Sequence, residues 1–122
     1  MKTAALVSIS SGPRVRARTR QGRCFELAAK GLMRDPSWTL IHGVTHGLIA
    51  HAWLLKEGTV YDAVLDQHVS AREYEETHGA VIERQYKLKE AAEFMASTGC
   101  FGPWHKTSGI VNGVVHRKER TE

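Results

Sequence analysis

Three residues of this sequence have side chains that together could cleave an amide bond: Cys24, His51 and Asp62. A histidine beside an aspartate is half of a catalytic arrangement, because the carboxylate fixes the tautomer of the imidazole and stabilises the imidazolium ion. The missing half is a nucleophile, which a cysteine provides as its thiolate. If the fold brings the three side chains together, they form a site for acyl transfer through a thioester.

Cys24 lies where a helix is predicted to begin. From Arg23 to about Met33, small and apolar residues recur at i, i+3, i+4, i+7 and i+8, which is one face of a helix, and Pro36 ends it. The helix N-terminus and the adjacent cation of Arg23 both favour the thiolate. A free cysteine on an apolar helix face is, by itself, more often a small buried hydrophobic residue. Cys24 therefore becomes informative only in combination with a suitable base.

His51 and Asp62 belong to the two strands of a predicted β-hairpin. The stretch IAHAWLLKEGTVYDAV, residues 49–64, is an apolar run, a short polar turn and a second apolar run. A two-residue turn at Glu57-Gly58, or a four-residue loop, puts the imidazole and the carboxylate on one face as diagonal neighbours. Their Cβ atoms are then about 7 to 8 Å apart or somewhat less. A three-residue loop would put Asp62 on the other face.

The remaining elements alternate between strands and helices. WTLIHGV and AVIERQYK are predicted strands, whereas SAREYEETHG and LKEAAEFMASTG are predicted helices that end at Gly79 and Gly99. TAALVSI near the N-terminus also has the length of a strand, and SSGP interrupts it. The predicted fold class is α+β: a small single domain with an N-terminal helix bearing Cys24 packed on an antiparallel sheet, and further short helices.

Composition restricts the class of protein. The chain has 122 residues, 42% hydrophobic and 25% charged, which suits one globular domain with a single core. Two cysteines, Cys24 and Cys100, do not make a disulfide framework and are predicted to be reduced thiols. No apolar run has the length of a membrane helix, and the N-terminus lacks a convincing secretory signal. We therefore expect a cytoplasmic protein that does not associate with membranes.

The order of these motifs resembles the papain-like superfamily of cysteine enzymes, and its transglutaminase-like branch most closely. The matching pieces are GRCFELA, WTLIHG and HAWLLKEGTVYD, within about residues 21–65. The resemblance implies that Cys24 is the nucleophile, His51 the general base and Asp62 the residue that orients the base. It also implies that a polar side chain upstream of the cysteine completes the oxyanion hole, and Gln21 is the candidate.

Further side chains are candidates for binding. Trp53 lies on the same predicted hairpin face as His51, and Trp104 belongs to FGPWH, which suits either the rim of a cleft or an anchor to the core. Both tryptophans are candidates for substrate binding. His42, His46 and His51 suggest a zinc cluster, but their spacing matches no familiar zinc site. The sequence therefore predicts neither a metal nor a cofactor.

Two functional classes fit the sequence. The first is a small cysteine enzyme acting on a peptide or amide substrate, with hydrolysis favoured over transfer because water is always available. The second is a non-catalytic binding module with a basic edge, since arginines occupy every second position from Arg14 to Arg20. That edge would bind nucleic acid or an acidic protein, although a solvated arm is the more ordinary interpretation and nucleic acid is not favoured. We expect one domain over residues 1–122, with a basic arm at 1–20 and a flexible tail at 106–122.

Overall fold

A computed structural model describes residues 23–111 and 114–115, which contain three helices and seven strands. The helices are α1 (Cys24–Arg34), α2 (Ala71–His78) and α3 (Leu88–Thr98). The strands are β1 (Thr39–Thr45), β2 (Ile49–Lys56), β3 (Thr59–Asp62), β4 (Gln67–Ser70), β5 (Val81–Tyr86), β6 (Ile110–Val111) and β7 (Val114–Val115). This arrangement confirms the predicted α+β class and the three predicted helices that fall within the described residues.

The sheet is antiparallel along its main path. Its strand order is β4-β3-β2-β1-β5, and each pair of neighbours on this path runs antiparallel. Short links between consecutive strands from β1 to β4 produce this topology, because antiparallel neighbours can be joined by tight turns. The short strand β6 is added to β2 in parallel orientation, and β7 pairs with β6.

The hairpin of β2 and β3 has the predicted register. Leu55 pairs with Val60 around a two-residue turn at Glu57 and Gly58. Both turn residues have positive φ, 50° and 80°, the pattern of the type I′ turn whose twist matches that of the flanking strands. An even-numbered loop keeps His51 and Asp62 on the same face, as alternation along the strands requires.

One edge of β2 changes its partner along its length. Strand β1 pairs with β2 from Ile49 to Leu55, so β3 and β6 must both lie on the opposite edge. There β6 pairs only at Ile49, whereas β3 pairs only from Leu54 to Lys56. Between these two pairings the edge has no strand partner within the described ranges, and His51 lies in that interval.

Helices cover both faces of the sheet. α1 packs against β1 and β2, with Ala28 and Leu32 buried in the same core as Ala52 and Leu54. Alanines on both the helix and the strand allow the two backbones to approach closely. On the other face α2 contributes Tyr74 to a second core, whose other buried members are Ile41, Trp53 and Val60. The site described below lies where these two layers meet the interval in β2.

Three strands were not apparent from the sequence. β4, with the polar sequence QHVS, lacks an apolar pattern, and β6 and β7 are two residues long. Residues 107–111 of the predicted flexible tail are held on the sheet, because Thr107 and Ser108 donate hydrogen bonds to Glu83 and the Ile110 N–H donates to the Leu48 carbonyl. These residues are therefore part of the folded domain.

Other predictions concern parts of the chain outside this description. The strand TAALVSI, the arm at residues 1–20 and most of the predicted tail lie outside the described residues. Among the residues that are described, no helix is both long enough and apolar enough to cross a membrane.

His42 of β1 is a polar residue in aromatic surroundings. The rings of Phe25, Tyr86 and Trp104 lie 4.8 to 5.0 Å from its own, centroid to centroid. Neither of its ring nitrogens has a hydrogen-bond partner in the described part of the chain. Burial, together with the nearby charge of His105, lowers the pKa of His42 to about 3.

We expect His42 to make the fold sensitive to acid. The unfolded chain binds a proton at this residue below a pH of about 6.5, whereas the folded chain binds one only below about 3. Stability therefore falls as the pH is lowered through that interval, by up to about 1.4 kcal/mol per pH unit. The free energy of unfolding in urea should differ less between pH 7 and pH 5 in His42→Leu than in the wild type. If the free energy of unfolding changed equally between the two pH values in the wild type and in His42→Leu, this assignment would be wrong. His46→Ala, which replaces an exposed histidine, is the matched control.

Candidate active site

The structure brings Cys24, His51 and Asp62 together at the interval in the β2 edge. Nε2 of His51 lies 2.9 Å from Oδ2 of Asp62. The thiol of Cys24 lines the same cavity as this imidazole and lies close enough to act on it electrostatically. Since Nε2 is engaged with Asp62, Nδ1 is the nitrogen that remains for the thiol. The imidazole therefore lies between a carboxylate and a thiol.

Cys24 occupies the first position of α1 and is 5% exposed. The N–H groups of the first helical turn have no intrahelical acceptor, and the helix dipole adds partial positive charge at this end. Both effects favour negative charge on the sulfur. The predicted contribution of Arg23 is not present in the structure, because its guanidinium forms an ion pair with Glu26 through contacts of 2.7 Å and 2.5 Å. The charge of Arg23 is therefore neutralised by a neighbour on its own helix.

Asp62 is a buried carboxylate, 2% exposed, with four hydrogen-bond donors. Oδ2 accepts from His51 and from the hydroxyl of Tyr74, at 2.5 Å. Oδ1 accepts from the backbone N–H groups of Val64 and Leu65, at 2.9 and 3.1 Å. Burial disfavours the ionised form, but the hydrogen bond and the charge of His51, with the other donors, outweigh it and lower the pKa of Asp62. The carboxylate is therefore ionised and fixed in orientation.

His51 is charged at neutral pH. Burial alone would lower the pKa of His51. The combined influence of Asp62 and Cys24, with Asp62 contributing more, outweighs burial and raises the pKa of His51 to about 10. An imidazolium next to a thiol favours the thiolate, the form that attacks carbonyl carbons. The arrangement is consequently an imidazolium that is hydrogen-bonded to a carboxylate and adjacent to the thiol of Cys24.

A cavity of about 490 Å³ opens beside these side chains, a size typical of small-molecule and peptide side-chain sites. It is lined by residues of α1, of β1 and β2 with their connecting turn, of β3 and the β3–β4 connection, and of α2. The lining residues are Cys24, Thr45, His46, Ile49, Ala50, His51, Asp62, Val64, Leu65, Tyr74 and His78.

Tyr74 is a site residue that the sequence patterns did not indicate. Its hydroxyl is buried against Asp62, and burial, with the adjacent carboxylate, raises the pKa of Tyr74 far above its usual value. It therefore remains a protonated donor. AREYEETH, the sequence of α2, contains one aromatic residue among polar ones, so burial of Tyr74 was foreseeable, but its partner on β3 was not.

The two tryptophans proposed for substrate binding do not line the cavity. Trp53 is buried against Tyr74, with ring centroids 5.3 Å apart, and its ring lies 6.1 Å from that of His51. Trp104 stacks on Phe94 at 5.3 Å and belongs to the aromatic cluster around His42. Trp53 thus packs against Tyr74 and His51 outside the cavity, and Trp104 anchors the segment that follows α3 to the core.

Two other predicted features lie outside the described residues. These are Gln21, the candidate for the oxyanion hole, and the basic edge from Arg14 to Arg20. Within residues 23–111, no group of three or more histidine, cysteine, aspartate or glutamate side chains is arranged to hold a metal ion.

No family model matches this chain, and comparisons with curated proteins and with solved structures also found no match. The chemistry of the site therefore has to be inferred from its own residues.

Proposed function

We propose that this chain is a cysteine hydrolase that cleaves an amide or isopeptide bond, with Cys24 as nucleophile, His51 as base and acid, and Asp62 as the residue that orients His51. The observation that supports this is a single imidazole that is hydrogen-bonded to a buried carboxylate and lines one cavity together with a thiol at a helix N-terminus. The proposal includes membership of the papain-like superfamily, in its transglutaminase-like branch.

The first half of the reaction transfers the acyl group to the enzyme. The thiolate of Cys24 attacks the carbonyl carbon, a C–S bond forms, and an electron pair of the C=O bond moves to oxygen. Backbone N–H groups at the start of α1 stabilise this oxyanion, and one such donor contributes about 3 to 4 kcal/mol in well-studied enzymes. The oxyanion then re-forms the C=O bond, the C–N bond breaks with its electron pair leaving on nitrogen, and the imidazolium of His51 protonates this leaving amine. The thioester remains on Cys24.

The second half returns the free enzyme. His51, now neutral, accepts a proton from a water molecule, whose oxygen attacks the thioester carbon. Collapse of this intermediate breaks the C–S bond and releases a carboxylic acid. An amine in place of water would give transfer instead, and hydrolysis is the proposed outcome because water is the nucleophile present at the highest concentration.

An activated ester tests this proposal without knowledge of the natural substrate. With p-nitrophenyl acetate we expect a burst of p-nitrophenolate stoichiometric with protein, and an acetyl group on Cys24 in peptide mass spectrometry. Cys24→Ser should remove the burst, because a hydroxyl is ionised far less than a thiol. Cys100→Ser is the matched control and should retain the burst, since Cys100 is exposed and does not line the cavity. Equal acetylation of both cysteines, or a burst that persists in Cys24→Ser, would disprove the proposal.

A further inference from the structure

We infer that the cavity selects acyl groups that carry an apolar side chain next to the bond to be cleaved, and that Ile49 and Leu65 are the residues that select it. This inference rests on the proposed function, because it assigns the substrate class of the same site. It is carried by the exposure, position and charge of the residues that line the cavity.

The apolar wall of the cavity is open to water. Ile49 and Leu65 are 43% and 44% exposed although both line a concave surface, and Ala50 and Val64 extend the wall inward. Removing apolar surface from water is favourable, so a ligand with an apolar group gains affinity by covering these side chains. Apolar lining with a few placed polar groups is typical of ligand sites.

The elements that position His51 and Asp62 also position the apolar wall of the cavity. Ile49 begins β2 two residues before His51, and it pairs with Thr45 on one side and Ile110 on the other. The backbone N–H of Leu65 donates to Oδ1 of Asp62, whose Oδ2 holds His51. The wall is therefore pre-organised relative to the reacting sulfur, which reduces the entropy lost when a substrate binds.

The residues that line the cavity offer few partners for a charged side chain of a substrate. Among the described residues that line it there is no lysine or arginine, and its one carboxylate, Asp62, already accepts four hydrogen bonds. A substrate ammonium or guanidinium group would find no free carboxylate. His46 and His78 are the lining side chains that could meet an acidic group, so an acidic probe belongs in the test.

Alkylation of Cys24 by chloromethyl ketones measures this selection without a natural substrate. The sulfur attacks the methylene carbon of the probe, a C–S bond forms, the C–Cl bond breaks and chloride leaves with its electron pair. The probes are the chloromethyl ketones of N-acetyl glycine, leucine, lysine and aspartate, used on Cys100→Ser protein and normalised to their rates with glutathione. We expect the leucine probe to react about tenfold or more faster than the glycine probe, and the lysine and aspartate probes to show no such gain.

Substitutions in the apolar wall test which residues select the apolar acyl side chain. The ratio of the leucine to the glycine rate should fall to within about threefold in Leu65→Ser and in Ile49→Ser, and using a ratio within each variant cancels any change in thiol reactivity. Leu48→Ser is the matched control, because Leu48 is 53% exposed next to Ile49 but does not line the cavity, so the ratio should be unchanged.

The two proposals fail in distinguishable ways. Equal rates for the leucine and glycine probes on a Cys24 that reacts rapidly with iodoacetamide would overturn the inference and leave the proposed function standing. A preference for the aspartate or lysine probe would also overturn it. A Cys24 that reacts with none of the probes would overturn both.

Discussion

Replacing His51 with alanine is expected to change the pH dependence of Cys24 alkylation completely. In the proposed mechanism the imidazolium of His51 favours the thiolate of Cys24, so the rate of the wild type with iodoacetamide should be nearly constant from about pH 5 to pH 8. In His51→Ala the thiol loses this partner and should behave as an ordinary one, with a rate that rises about tenfold per pH unit in the same range. At pH 5 the wild type should be more than tenfold faster, even though a stabilised thiolate is intrinsically a weaker nucleophile.

The measurement is made on Cys100→Ser protein, so that Cys24 is the remaining cysteine and the measured rate is that of its thiol. His105→Ala is a suitable control, because it removes an imidazole that is hydrogen-bonded to Tyr86, outside the cavity. That variant should keep the flat profile of the wild type. A wild-type rate that already rises tenfold per pH unit, or a flat profile that survives in His51→Ala, would show that no thiolate–imidazolium pair exists.

Local sequence patterns were sufficient to predict the hairpin and the helix that bear this pair. The two-residue turn at Glu57 and Gly58 sets the register of the hairpin, and alternation then puts His51 and Asp62 on one face. Helical periodicity placed Cys24 at the start of α1. These features depend on neighbours within a few residues of each other, and for that reason they can be derived from one sequence.

Features that depend on packing between distant segments could not be derived in this way. Alternation puts Trp53 on the face of His51, but α2 covers that face, so the indole is buried instead of meeting a substrate. Tyr74 reaches Asp62 only because α2 packs over β3. The site also depends on the interval in the edge of β2 that faces β3 and β6. This interval ends at Ile49 because Ile110, about sixty residues later in the chain, returns to pair with it.

The pairing of Arg23 is a different case. Its partner Glu26 lies three residues further along the same helix, a spacing at which opposite charges normally meet. The sequence therefore contained the evidence that this cation is already paired. The helix N-terminus and His51 remain as the described sources of positive charge next to the sulfur of Cys24.

Asp62→Asn is expected to reduce both the stability of the fold and the rate of acylation. An asparagine has one acceptor oxygen and one NH₂ donor, whereas the two oxygens of Asp62 each face two donors. Whichever way the amide is turned, its NH₂ group faces two donors, and buried groups lose their partners. Removing one member of a buried charge pair costs about 3 to 5 kcal/mol, and we expect the free energy of unfolding in urea at pH 7 to fall by about 3 kcal/mol.

Tyr74→Phe separates the loss of a hydrogen bond from the loss of the charge. It removes one of the four donors and leaves the carboxylate paired with His51, so the free energy of unfolding should fall by only about 1 kcal/mol. The flat alkylation profile of Cys24 should survive in Tyr74→Phe. In Asp62→Asn it should not, because the imidazole loses the anion that most favours its charged form.

The burst with p-nitrophenyl acetate measures the catalytic part of the effect. The equivalent substitution in serine proteases lowers the rate about 10⁴-fold, because it holds the imidazole in the wrong tautomer. We expect a smaller loss in Asp62→Asn, of about a hundredfold, since an ion pair that exists before attack needs less proton transfer during it. An Asp62→Asn protein as stable as Tyr74→Phe, with an unchanged burst, would mean that the carboxylate neither orients nor charges His51. The buried aspartate would then serve the connection between β3 and β4, where it holds Val64 and Leu65, and not the chemistry of Cys24.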